Sequence, residues 1–398
     1  MEVANYQYKI QFILTINFLP ILFFYSSTTA QVQQGCIAFG GAGDDYGYSI
    51  VQTTDGGFAI SGRTTSYGQG GDDYYILKLN SNATLQWSRT LGFGGDNESA
   101  NAIVQTTDGG YLVTGYTSTN GANYLTKMDG SGNFQWYRRV LPSTGGTIAF
   151  SLIKTTDGGY AVAGRAPDAA AGWDLSAMKF DGSFNFQWGV TNGGTAFNDW
   201  GQDIAQADDG GYVIAGIEGS CYTNAGGLEY DMYMVKIDGS GTVQWTKTFG
   251  MDSWSMDDEV AYSIKKTTDG GYIMAGYSRY LEDNVSPFHQ DEMYVVKTDA
   301  NGNKQWSRLI GTNTQTEWGY SVIQTSDGGY AIAGTQGSDV YLVKLTNAGG
   351  LSWTKTIGGA GSDGVGGGLF AFNGGANCII QTNDGGFAIA GWTTSYGS

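Results

Sequence analysis

Carboxylates and aromatic rings are the side chains of this sequence whose types and spacing could do chemistry. They recur together. Asp44, Asp45, Asp96, Glu98, Asp199, Asp203, Asp257, Asp258, Glu259 and Glu317 cluster just before or at the start of recurring strand-like segments, with Trp200, Tyr222, Trp254, Tyr280, Phe288 and Trp318 nearby. Flat aromatic faces suit sugar rings, and carboxylates can hold hydroxyl groups or a cation, so this combination points to glycan contact. The candidate ligand-binding set is Trp200, Tyr222, Trp254, Asp257, Asp258, Glu259, Phe288 and Trp318. Solvated acidic loops with partly buried rings are the plainer account of the same residues.

Catalytic readings are weak. His289 is the single histidine, which excludes multi-histidine metal centres and leaves at most one base for a Ser-His-Asp arrangement. Paired carboxylates could hydrolyse glycosides, but acidic loops of this density bring such pairs together by chance. No catalytic residue is assigned, and the sequence reads as a non-enzyme. No cofactor is expected. Asp129-x-Ser131-x-Asn133 and Asp299-x-Asn301-x-Asn303 alternate oxygen side chains as calcium loops do. Each lacks the closing Glu, so structural calcium there competes with an ordinary hairpin turn.

The elements that position these residues are repeats. The Asp of an Asp-Gly-Gly turn recurs at Asp55, Asp108, Asp157, Asp209, Asp269, Asp327 and Asp384, a period of about 50 to 60 residues that calls for a repeat architecture. Alternating apolar and small residues flank each turn, and paired glycines allow the positive φ of a tight hairpin. A third strand follows with a Tyr-x-x-Lys signature, as in Tyr75 with Lys78 and Tyr294 with Lys297. A fourth carries Gln-Trp, as in Gln86-Trp87 and Gln305-Trp306.

Four strands per unit, repeated seven times, predict an all-β, seven-bladed propeller of four-stranded antiparallel blades. The recurrent Trp is expected to pack between blades. The recurrent Lys is expected to be an ion-paired or snorkelling structural residue.

The ends differ from the middle. Gln34 to Gly40 aligns with the fourth-strand stretch Gln244 to Gly250, so an N-terminal strand is expected to close the ring. The seventh repeat stops at Ser398, before any Tyr-x-x-Lys strand. Its blade is therefore expected to be incomplete, closed by the N-terminal strand or by another chain. The second route would give self-association through the unfinished blade.

Lys9, the apolar run Ile10 to Phe24 and the small residues up to Ala30 read as an export signal. Residues 1–30 are then a signal peptide and 31–398 one propeller domain. A secreted, extracellular or cell-surface location follows, with no membrane span after signal cleavage. The formal net charge of -17 excludes a nucleic-acid footprint. Cys36, Cys221 and Cys378 allow one intramolecular disulfide at most.

Gly40-Gly41-Ala42-Gly43-Asp44-Asp45, Gly115-Tyr116-Thr117-Ser118 and Asp231-Met232-Tyr233-Met234-Val235-Lys236 resemble the repeat units of the bacterial seven-bladed β-propeller repeat family. The resemblance covers nearly all of residues 34 to 398 and is similar to propeller segments of secreted or surface-attached proteins of Bacteroidetes type. It implies the fold, export and an interaction role, and no reaction. The sequence thus predicts a secreted non-catalytic scaffold or binding protein for adhesion, glycan contact or surface assembly, with a glycan or a surface protein as partner. A filament subunit built by strand complementation and a polysaccharide-active enzyme are the alternatives.

Antiparallel blades place the short Asp-Gly-Gly turns at one end. Long insertions at Glu218 to Tyr230, Met251 to Glu259, Arg279 to Gln290 and Gly358 to Ala376 lie at the other. Loops on a rigid scaffold are where binding usually resides.

Overall fold

The computed structural model describes residues 9–14, 35–92, 96–118, 122–140, 147–167, 172–194, 198–221, 228–250, 258–279, 291–312, 314–358, 361–365 and 378–393. Every regular element among them is a strand. Blade one runs Asp45–Gln52, Phe58–Thr64, Asp73–Leu79 and Leu85–Leu91, each antiparallel to the next. Blades two to six repeat this order, opening at Glu98–Gln105, Ile148–Lys154, Trp200–Gln206, Asp258–Lys266 and Glu317–Gln324. The first strand of each blade neighbours that of the next, and Ile379–Gln381 of blade seven returns to Asp45–Gln52. The described residues therefore close a ring of seven blades.

Blade seven is completed by the chain itself. Asp363–Val365 and Ile379–Gln381 both pair with Phe387–Thr393. Lys9–Leu14 supplies the third strand, from Lys9 opposite Thr393 to Leu14 opposite Ala388, and Gly35–Phe39 supplies the fourth. The fourth-strand role matches the expectation for residues 34 to 40. The third-strand role of Lys9–Leu14, inside the stretch read as an export signal, was not foreseen. That segment puts Gln11 opposite Gly391 and Leu14 opposite Ala388, where blade one has Tyr75 opposite Gly62 and Lys78 opposite Ala59. It fills the slot without the repeat's signature.

Side chains that the sequence marks as recurrent join each blade to itself or its neighbour. Lys78, 4% exposed, reaches 2.8 Å to Asp55 of the turn and 2.8 Å to the Leu79 carbonyl. The same pair recurs as Lys127 with Asp108, Lys179 with Asp157, Lys236 with Asp209, Lys297 with Asp269 and Lys344 with Asp327. Asp55 also accepts from the Gly57 N–H at 3.0 Å, while Gly56 takes φ 78°, so the turn Asp caps its own backbone and anchors a buried ammonium. Burial alone would raise the Asp55 carboxyl. The ammonium and the turn's donors outweigh it and hold the group down at about 2.

The Gln-Trp residues pack across blade boundaries as expected. Trp87 meets Tyr111 edge-on at 5.6 Å, Trp188 lies 5.6 Å from Tyr212 and Trp306 lies 5.7 Å from Tyr330.

An inner belt was not legible in the repeat pattern. The first strand of each of blades one to six carries a bulge, such as that between Gly47 and Ser49 or between Gly201 and Asp203. A bulge re-aims a side chain, and here it turns polar groups toward the neighbouring blade. Ser49 accepts from the Ile103 N–H, Ser151 donates to Asp203 at 2.7 Å, and Ser263 accepts from the Val322 N–H. Asp203 is fully buried and also accepts from the Ile264 N–H at 2.9 Å and from Lys265 at 2.6 Å. It ties blades three, four and five together.

Candidate functional site

Antiparallel topology places the starts of first and third strands and the ends of second strands at one end of the propeller, opposite the Asp-Gly-Gly turns. One hydrophobic cluster reaches that end: Trp200, Val260, Tyr262, Tyr277 and Tyr320 are among its buried residues, with Trp173, Tyr230 and Trp318 packed against it, and it continues through blades six and seven to Phe387 beside the Asp384 turn. Trp318 stacks on Tyr277 at 5.3 Å and donates its indole N–H to Asp291 at 2.8 Å. Asp291 also receives Arg279 at 2.8 Å, and Arg279 reaches Asp258 at 3.2 Å. Hydrogen bonding to Asp291 raises the Arg279 guanidinium above its ordinary range, against the opposing effect of burial.

Across the same cluster, Arg165 lies between two indoles, 4.4 Å from the Trp173 ring and 4.3 Å from the Trp200 ring. Phe150 is a third ring, at 5.8 Å. Blade one holds a comparable guanidinium, Arg63, 4.4 Å from the Tyr46 ring and ion-paired to Asp72.

Carboxylates pack in pairs at the blade junctions. A Cβ built on Gly193 would lie 2.2 Å from Asp174 Oδ1 and 2.5 Å from Asp199 Oδ2, and one on Gly311 would lie 2.8 Å from Glu317 Oε2 and 3.0 Å from Glu292 Cγ. Burial first, and Glu317 second, push the Glu292 carboxyl up; burial and then Asp363 do the same for Asp339. No group of three or more His, Cys, Asp or Glu residues gathers to hold a metal among the described residues. At the turns considered for calcium, Asp129 accepts from the Ser131 and Asn133 N–H groups and from the Asn133 amide, and Asp299 repeats this with Asn301 and Asn303. Their oxygens serve the hairpins.

Of the sequence-predicted site residues, Trp200, Asp258 and Trp318 meet in or beside the cluster. Glu259 is buried at a junction, where it accepts from Ser278 at 2.7 Å. Tyr222, Trp254, Asp257 and Phe288, together with His289, lie outside the described residues. Sequence reasoning missed Arg165, Trp173, Tyr230, Tyr277, Arg279 and Asp291. Aligning the residue after each second-strand glycine would have exposed part of this set, since Arg63 and Arg165 stand where other repeats carry Tyr116, Ile217, Tyr277, Thr335 and Trp392.

A cleft of 460 Å³ lies elsewhere, between Ala38, Phe39 and Gly40 of blade seven and Tyr67, Tyr75, Leu85, Ser88 and Thr90 of blade one. It has no charged side chain, so the arginine and tryptophan cluster is the stronger candidate. Cys378 is buried and unbridged, and burial pushes its thiol up to about 12. No helix among the described residues is long and apolar enough to cross a membrane.

No protein-family model and no curated protein matches the chain. Solved structures do. A protein from Lactobacillus plantarum is similar at 11% identity, over 88% of this chain and 96% of that one, with a TM-score of 0.51. The β-propeller domain of the trilobed protease from Pyrococcus furiosus is similar at 11% identity over 80% of this chain and 85% of that one, TM-score 0.46. An apocarotenoid oxygenase from Synechocystis is similar at 10% identity over 82% and 84%, TM-score 0.48. The expectation of a non-catalytic scaffold is corrected by this last likeness: an oxygenase is among the chains of similar shape, so the fold gives that role no support. The strand order and the neighbouring first strands around the ring make this chain a β-propeller.

Proposed function

We propose that the loop-bearing end of this propeller is a carbohydrate-binding face, built on Trp318, Trp173, Tyr230 and Trp200 with Arg279, Asp258 and Asp291 as polar contacts. The observation that carries the proposal is the convergence of indole and phenol rings from blades three to six into one cluster that also holds two guanidinium groups. Rings supply a flat apolar surface for a sugar, and charged groups at its margin select hydroxyls by hydrogen bonds. Trp173, Tyr230 and Trp318 are only partly buried, which leaves ring surface for a ligand.

The same proposal places the chain with the bacterial seven-bladed repeat family and outside the cell. Support for that lies in the Gly-Gly-x-x-Asp-Asp and Asp-x-Tyr-x-x-Lys stretches and in the run from Lys9 to Ala30, which would have to stay uncleaved to keep Lys9–Leu14 in blade seven. A glycan array probed with the purified protein and with Trp318→Ala tests the binding face. Loss of signal in the variant, with an unchanged circular dichroism spectrum, is the expected result; equal signal from both proteins contradicts it. Assaying every array hit for turnover separates a receptor from an enzyme.

A further inference from the structure

Blades one and three differ at one informative place. In blade one, Thr64 faces Asp73 across the second and third strands, and the preceding residues, Arg63 and Asp72, form an ion pair. In blade three, Ala166 faces Asp174, and the preceding residues are Arg165 and Trp173. An indole therefore stands where blade one supplies the counter-carboxylate. Blade five keeps a carboxylate at that place, Asp291 before Glu292, and pairs it with Arg279.

Arg165 makes no ion pair with any described residue, and its Nε–H, buried, has no hydrogen-bond acceptor among them. Burial lowers its guanidinium to about 10. Stacking on Trp173 and Trp200 offsets part of the cost of desolvating the cation. It leaves the in-plane donors of the fork unused. Arg165 and Trp173 are both only partly buried.

We infer that Arg165 is an anion receptor and that the ligand of this face carries a carboxylate, which supplies the counter-charge that Asp72 supplies in blade one. This rests on the carbohydrate-binding reading and specifies it: the sugar is acidic. A planar carboxylate fits the guanidinium fork with two parallel hydrogen bonds, and the flanking indoles would lie against the faces of the ring that bears it. The chain's formal charge of -17 disfavours anions in general, so recognition of an acidic ligand needs a local cation, and Arg165 is one that no described carboxylate neutralises.

The test is a tryptophan-fluorescence titration of the full chain with glucuronate, glucose and sulfate, repeated on Arg165→Gln, Arg165→Lys and Trp173→Asp. Saturable quenching by glucuronate at concentrations at least 10-fold below those needed for glucose is expected, with sulfate a poor competitor. Arg165→Gln should erase the preference for glucuronate, and Arg165→Lys should keep only part of it. Trp173→Asp should raise Tm by restoring the blade-one pair, and should also abolish the preference; this variant remains decisive if Arg165→Gln does not fold. Equal binding of glucose and glucuronate overturns the inference while leaving the carbohydrate reading standing, and sulfate competing as well as glucuronate overturns the choice of a carboxylate. A wild-type protein that binds neither sugar overturns both.

Discussion

Lys297 holds its ammonium 2.8 Å from the Asp269 carboxylate and 2.8 Å from the Thr298 carbonyl, with the lysine almost fully buried and the aspartate half exposed. The asymmetry sets what each substitution does. Asp269→Asn leaves a buried ammonium without its counter-charge and should destabilise by about 1 to 3 kcal/mol. Lys297→Met removes the buried charge altogether and should cost less. Urea denaturation of the two variants checks the order.

The turn aspartates also set the acid limit of stability. Asp55, Asp108, Asp157, Asp269 and Asp327 are held down at about 2, burial opposing this and hydrogen bonds from Lys and Thr prevailing. A carboxyl lowered in the folded state contributes stability above its unfolded pKa of about 4 and loses it as the pH falls through the folded value. Tm should therefore drop between about pH 4 and pH 2.

Glu292 and Asp339 act with the opposite sign. Their carboxyls are raised, by burial and then by Glu317 and Asp363 respectively, so the folded chain takes up their protons before the unfolded chain does. The penalty they impose is full at neutral pH and is relieved as the pH falls through their folded values. Glu292→Gln should raise Tm at pH 7 and flatten the rise in Tm that the wild type shows on mild acidification. A parallel shift of the whole profile would show that the Glu292 proton does not matter.

Asp203 receives donors from Ser151, Ser263, Ile264 and Lys265, in the two blades on either side of its own. Asp203→Ala strands these donors at the centre of the ring and should destabilise by about 3 to 5 kcal/mol. Thermal denaturation measures this, and a loss within the range of an exposed substitution would remove Asp203 from the role of inter-blade tie.

Lys9–Leu14 sits between Gly35–Phe39 and Phe387–Thr393. A chain beginning at Gln31 would lack that strand and expose two unpaired edges. It should melt at a lower temperature than the full chain, and a synthetic peptide of residues 9–14 should restore part of the difference. Identical melting of the two chains would show that the strand contributes nothing to the ring.

Much of this architecture is written in the repeats. Asp55, Lys78 and Trp87 recur in register, and a feature present in nearly every repeat reports on the scaffold that all the repeats share. The inner belt escaped because Ser49, Ala102, Ser151, Asp203, Ser263 and Ser321 are mostly small residues of no marked chemistry, and it is the bulges that aim them at the neighbouring blade. Lys9–Leu14 escaped because an apolar run before small residues reads equally as an export signal, and it carries neither Tyr nor Lys at the signature places. Arg165 and Trp173 escaped for the reverse reason: they break the repeat, and their meaning lies in the departure from Arg63 and Asp72. Of the residues picked out by acidity and aromaticity, Trp200, Asp258, Glu259 and Trp318 lie at the end opposite the turns, but the sequence does not reveal which rings meet, because that depends on the order of blades around the ring.

The central claim is that ligand binds at the end of the propeller where Trp200, Trp318 and Arg279 converge. Hydrogen–deuterium exchange with and without a saturating glycan-array hit tests it most directly. Slower exchange is expected at the starts of Trp200–Gln206, Asp258–Lys266 and Glu317–Gln324 and at the end of Tyr272–Arg279, with no change at the turns around Asp157, Asp269 and Asp327. Protection confined to those turns or to the outer strands would contradict the account.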